Sequence, residues 1–237
     1  MLARTCFILL ASVALLAPPT AAQETPPAPG QDRVAAVKTS LQSSMAALRQ
    51  YEWIETTAIS LKGEEKSSKE NRCYYGADGK VQKVPVESAP EGGGKKPRGV
   101  RGRIVENKKE DISESMKEAI GLVKEYVPPE PARIQAAKEA GKVTVSPPDA
   151  QGKARVVIND YLKAGDSLAL DLDAASNRIA GLTVSSYTDK EKHAVALKVG
   201  FGGLADGTIY PANVVLDVKE ENLSVAIKNS GYRKASS

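Results

Sequence analysis

Between residues 154 and 232 apolar side chains recur at every second position through five short runs, 156–162, 167–172, 179–187, 193–201 and 209–218, with a sixth at 223–228. A period of two places such side chains on one face of an extended strand. The turn-forming clusters between the runs (Ala164-Gly165-Asp166, Ser176-Asn177, Thr188-Asp189-Lys190, Ala205-Asp206-Gly207, Glu220-Glu221-Asn222) suit tight antiparallel connections. The pattern predicts a β-meander. Leu168, Leu170 and Leu172 point one way, and Val195, Leu197, Val199 and Phe201 share a face opposite Ala194, Ala196, Lys198 and Gly200. One face is therefore greasy, the other is mixed, and the sheet needs a cover.

The start of the chain has the layout of an export signal: Arg4, an apolar stretch at 7–17, and Thr20-Ala21-Ala22 at the cleavage point. Residues 1–22 are read as this leader, since the apolar stretch is short of the roughly 20 residues that span a bilayer. The Pro-rich residues 23–32 form a disordered lead-in, and 33–235 a single domain. Removing Arg4 lowers the formal charge from +4 to +3, too small for a strong global field. Cys73 is then the only thiol, so no internal disulfide is expected.

Val34, Val37, Leu41, Met45 and Leu48 recur at helical spacing behind Asp32, predicting an amphipathic helix to about Gln50. The period then switches to two at 51–62, where Trp53, Thr57, Ile59 and Leu61 alternate with Ile54, Thr56, Ala58 and Ser60. Gly63 to Lys66 reads as a turn, 69–75 as a second strand, and Asp78-Gly79 as a hairpin into a third at 81–86. Residues 87–111 lose periodicity and gather cations, among them Lys95, Lys96, Arg98, Arg101 and Arg103. They are either a solvated loop or a contact to an anionic envelope surface; no aromatic interleaves them, which argues against nucleic acid. A second helix is expected at 112–127, with Ser115 and Glu118 at capping-box spacing and Met116 and Ile120 on its apolar side, and a third at 131–140 between Pro131 and Gly141.

Catalytic and metal signatures are missing from the pattern. His193 is the only histidine, and it reads as a surface residue at a strand start. One histidine and one mature cysteine do not make a zinc site, and Asp171 and Asp173 read as turn-entry carboxylates. Gly200, Gly202 and Gly203 lack the strand-loop-helix order of a phosphate loop and point to a bulge or sharp bend instead. No enzyme, metal or cofactor is expected.

The Tyr51-Glu52-Trp53 entry to the first strand, the Tyr74-Tyr75-Gly76-Ala77-Asp78-Gly79-Lys80 hairpin and the Asp206-Gly207-Thr208-Ile209-Tyr210-Pro211 turn, in this order of elements, resemble the LolA/LolB-like and LppX-like carriers of the bacterial envelope. The resemblance implies an α+β fold in which a strongly curved antiparallel sheet, an incomplete barrel, wraps two or three helices. It also implies a periplasmic, non-enzymatic carrier or sensor whose partner is a lipid or an acylated protein, with the membrane surface or another envelope protein as further contacts. Residues expected to line the ligand site are Trp53, Ile59, Leu168, Leu170, Leu182, Val184, Leu197, Val199 and Phe201 from the strands, with Met116 and Ile120 from a helical lid. The competing expectation is an envelope scaffold or interaction module whose helices fill the sheet completely and leave no ligand cavity.

Overall fold

The computed structural model describes residues 29–86, 113–176, 178–188 and 193–235. The leader and the basic segment at 87–111, with Lys95, Lys96, Arg98, Arg101 and Arg103, lie outside the described residues.

Ten strands form one open antiparallel sheet. In chain order they are β1 (Tyr51–Leu61), β2 (Glu64–Tyr75), β3 (Val81–Pro85), β4 (Val143–Ser146), β5 (Lys153–Asn159), β6 (Ser167–Asp173), β7 (Arg178–Tyr187), β8 (Ala194–Gly203), β9 (Ile209–Val218) and β10 (Leu223–Lys234). Across the sheet the order is β3-β2-β1-β10-β9-β8-β7-β6-β5-β4. Two meanders are thus stitched together along β1 and β10. The chain leaves β3 at one edge and re-enters at β4 on the other. Two of the three helices belong to that excursion: α2 (residues 113–123) and α3 (Pro131–Glu139), while α1 (Pro29–Leu48) precedes β1. The curved, incomplete barrel is the expected α+β architecture.

The helices lie on one side of the sheet. Ala119, Leu122, Val123 and Tyr126, in and just after α2, and Ala137 of α3 pack on Ile158, Leu168, Leu182, Val184, Leu197 and Leu216 to make the main core. A smaller cluster of Ile179 and Ile209, with Leu172 and Phe201 against it, receives Leu41 of α1. Ser44 of α1 also accepts a hydrogen bond from the backbone amide of Ile209 (3.0 Å). Inside the main core Tyr126 donates to Asp166 and sits 2.8 Å from the Ser186 hydroxyl. Burial, and then the bond to Asp166, push its phenol far above the ordinary range.

Several expected boundaries move, each for a local reason. α1 starts at Pro29, five residues ahead of Val34, because the fixed φ of proline suits a first helical position. β2 begins at Glu64: the reversal is confined to Lys62 and Gly63, both at positive φ, and the charged Glu64-Glu65-Lys66 is strand rather than turn. Ser115 lies within α2 and donates to Glu221 rather than capping. The regular part of α2 stops at residue 123, after which Glu125 and Tyr126 bond to Leu122 and Val123 in a tighter turn that leads to Pro128. The first run of the long meander ends at Asn159 instead of 162. Asp160 takes a positive φ, and the Asp166 carboxylate caps the amides of Leu162 and Lys163. β4 was not anticipated, since four residues carry too little periodicity to be read.

The Asp78-Gly79 hairpin forms as expected, with Gly79 at φ +72. So does the helix stop at Gly141, at φ +69. The glycines near Phe201 mark a register shift between β8 and β9. A Cβ on Gly202 would meet the Tyr210 ring at 2.8 Å, so only glycine lets that ring lie across β8.

Candidate functional site

Strand register turns the inward face into transverse rows. One row runs Ile59, Val225, Leu216, Leu197, Val184, Leu168, Ile158. Its exposure falls steadily, from 37% at Ile59 to 6% at Leu216 and Leu197 and 0% at Val184, Leu168 and Ile158. That end is sealed by α2 and α3. The adjacent row runs Thr57, Ile227, Val214, Val199, Leu182, Leu170, Val156. Except for Leu182 every member is only half-buried. Val156, Leu170, Val199 and Val214 pack against the core under α2 and α3, and Leu170 also touches the cluster under α1.

This half-buried, mostly apolar row, the furrow, crosses six strands from β1 to β6. At about 4.8 Å between strands it is about 24 Å long, more than the roughly 15 Å that one leaflet of hydrocarbon occupies. Met116 of α2 is half-buried against the core, and Ile120, one turn on, is 39% exposed.

Beyond Thr57 the inward face of the sheet becomes polar and then aromatic. Glu55 is 7% exposed and takes an ion pair from Lys83 (2.6 Å) and a hydrogen bond from Thr57 (3.2 Å). The Trp53 indole N–H donates to Asn229 (3.1 Å), which in turn donates to the Pro211 carbonyl (2.8 Å). Tyr232 stacks on Trp53 with centroids 5.5 Å apart and meets Tyr210 at 4.2 Å, while Tyr75 closes on Trp53 at 5.8 Å. A register shift opposite Trp53, with Gly231 at φ +63, gives β10 the extra residue that brings Tyr232 over the indole. Burial raises the Tyr232 phenol. Beside them, fully buried, Cys73 has its thiol pushed up by desolvation, as suits an inert packing residue.

The residues singled out in the sequence therefore fall into distinct places. Leu168, Leu182, Val184 and Leu197 are inside the sealed core. Leu170, Val199, Phe201 and Met116 are half-buried against it. Ile59 and Ile120 are exposed, and Trp53 anchors the aromatic end. Val214, Val225 and Ile227 also belong to these rows, and Tyr210 and Tyr232 join Trp53, none of which local sequence pattern reveals. Their only signal is the pairing of β1 with β10, which closes a separation of 176 positions between Trp53 and Asn229. Asp171 is engaged by Arg155 (2.8 Å) and Asp173 by Ser176 (2.7 Å). His193, expected at the surface, is largely covered; its Nδ1 lies 3.7 Å from Glu221. Among the described residues no group of three or more His, Cys, Asp or Glu could hold a metal ion, and no helix is long and apolar enough to cross a membrane.

A LolA superfamily protein from Nitrosomonas europaea aligns over 84% of this chain and 94% of its own, with 6% identity and a TM-score of 0.37. A DUF1329 family protein from Desulfovibrio piger covers 84% and 93%, with 11% identity and a TM-score of 0.38. A domain described as an outer membrane lipoprotein-sorting protein, from Vibrio parahaemolyticus, covers 87% and 91%, with 11% identity and a TM-score of 0.37. No family model and no curated protein matches the sequence.

Proposed function

We propose that the protein is a periplasmic carrier that holds an apolar ligand, a lipid or the acyl chain of a lipoprotein, along the furrow and performs no chemistry on it. The observation that carries this reading is the half-buried row Thr57, Ile227, Val214, Val199, Leu170 on the helix-covered face. Apolar surface left open beside a core gains about 25 cal/mol per Å² when a hydrocarbon covers it. In this reading Ile59, Leu170, Val199 and Phe201 touch the ligand and Met116 and Ile120 close over it. Leu168, Leu182, Val184 and Leu197 form the rigid backing, and Trp53 stands at the polar end. The basic segment with Lys95, Lys96, Arg98, Arg101 and Arg103 docks the carrier on an anionic envelope surface.

The packed-scaffold alternative draws on the sealed half of the first row. Mass spectrometry of organic extracts from natively purified protein separates the two. The carrier reading expects a stoichiometric amount of acyl-bearing molecule. Protein that is lipid-free in several preparations, and that fails to bind a fluorescent fatty acid, would leave the scaffold.

A further inference from the structure

Where α1 runs into β1, and β1 lies between β2 and β10, a cleft of about 410 Å³ opens at the end of these strands. Its lining includes Arg49, Arg72, Arg233, Glu52, Tyr74 and Tyr75. Register explains the gathering. Glu52 stands opposite Tyr74 on one side and Arg233 on the other, and Arg72 is the next outward residue of β2. Arg233 is ion-paired with Glu52, whereas Arg49 and Arg72 have no side-chain ion pair or hydrogen bond among the described residues.

Three guanidiniums against one carboxylate leave two positive charges around one cavity. An anion entering the cleft would complement both charges at once. A phosphate ester carries about −1.5 to −2 at neutral pH, which matches that excess. The planar guanidinium fork is built for bidentate contact with phosphate. The cavity also exceeds what bare phosphate needs and falls in the size range of small-molecule sites, roughly 300–1,000 Å³. Tyr74, on the same face as Glu52 and Arg72, supplies a ring face and a hydroxyl for the remainder. We propose that this cleft binds a phosphate ester, its phosphate held by Arg49 and Arg72 and its organic group lying along Tyr74. The site is separate from the furrow and stands or falls independently of what the furrow carries.

The test is titration calorimetry of the mature chain with inorganic phosphate and with phenyl phosphate, alongside co-sedimentation with phosphatidylglycerol and phosphatidylcholine vesicles. Phenyl phosphate is expected to bind more tightly than phosphate. The double substitution Arg49→Gln/Arg72→Gln should weaken it by roughly tenfold or more, while Lys66→Gln, which removes a distant exposed cation, leaves it unchanged. Both positions are exposed, and far-UV circular dichroism checks that the double variant is folded. Binding in solution without vesicle preference assigns a soluble phosphate ester. Added preference for phosphatidylglycerol, lost in the double variant, assigns a lipid headgroup. No heat with either free anion, or a double variant that binds phenyl phosphate as the wild type does, overturns the proposal; vesicle binding that survives the substitution then belongs to another surface.

Discussion

Leu168 and Ile59 lie towards opposite ends of one transverse row, and truncating each to alanine should separate core from ligand surface. Leu168 is fully buried, and its cross-strand neighbours Ile158 and Val184 are fully buried too. With no flexible neighbour to collapse inward, Leu168→Ala should leave a cavity and cost about 3 to 4 kcal/mol. Ile59 is 37% exposed and faces Ser67 on one side, so Ile59→Ala should cost only about 1 kcal/mol. Urea unfolding followed by circular dichroism reads the difference. With a slope of about 2.5 kcal/mol/M, Leu168→Ala should lower the midpoint by about 1.4 M and Ile59→Ala by about 0.4 M. Titration with N-phenyl-1-naphthylamine below the transition reads the site. Ile59→Ala should weaken the probe roughly fivefold, the equivalent of about 1 kcal/mol of lost contact, while Leu168→Ala leaves its affinity within about twofold. The reverse outcome, with probe affinity lost at Leu168 and untouched at Ile59, would place the ligand inside what is described above as packed core and refute the furrow.

Gly202→Ala should force the Tyr210 ring off β8, since the new Cβ falls 2.8 Å from it, and lower stability by about 1 to 3 kcal/mol in thermal unfolding. Tyr126→Phe removes the bonds to Asp166 and Ser186 and leaves the buried Asp166 carboxylate with only the Leu162 and Lys163 amides, for an expected loss of about 1 to 3 kcal/mol by the same assay. Asp206 has its carboxyl lowered from 3.8 to about 2 by the Tyr51 hydroxyl, then by the Thr208 amide. A depressed carboxylate stabilises above its unfolded value and loses that contribution as the pH falls through its folded one. Stability should therefore decline between about pH 4 and pH 2, and less steeply in Tyr51→Phe, as read by denaturation midpoints across that window. Cys73 should resist iodoacetamide in native protein and react on unfolding, as scored by intact mass.

The alternating runs made the meander legible because a half-buried strand must repeat every second residue, and β6 to β9 lie close to where that period places them. Local chemistry was legible too: Asp78-Gly79 and Gly141 each encode their reversal in one or two residues. What the sequence concealed is set by register. Trp53 and Tyr232 meet only because a bulge slips β10 by one position, and nothing in either strand's own pattern announces the slip. The same holds for the furrow. Leu197 and Val199 look identical in sequence, two apolar residues on one face of β8, yet one is buried in the main core and the other only half-buried against it. Which rows a helix covers depends on where the excursion from β3 to β4 crosses the sheet, and no pairwise spacing records that. Arg49, Arg72 and Arg233 are likewise scattered along the chain and share a cleft only through the pairing of β2, β1 and β10.

Leaving the barrel open has a cost of its own, because an unclosed sheet presents two raw margins to every other copy in a crowded compartment. Both margins are guarded. β3 is five residues long, carries Lys83 and ends at Pro85, while β4 is four residues long and runs straight into Pro147-Pro148. Imino acids and a lysine at the rims discourage one molecule from templating onto the next, so the sheet can stay unclosed without its rims recruiting neighbours into ribbons.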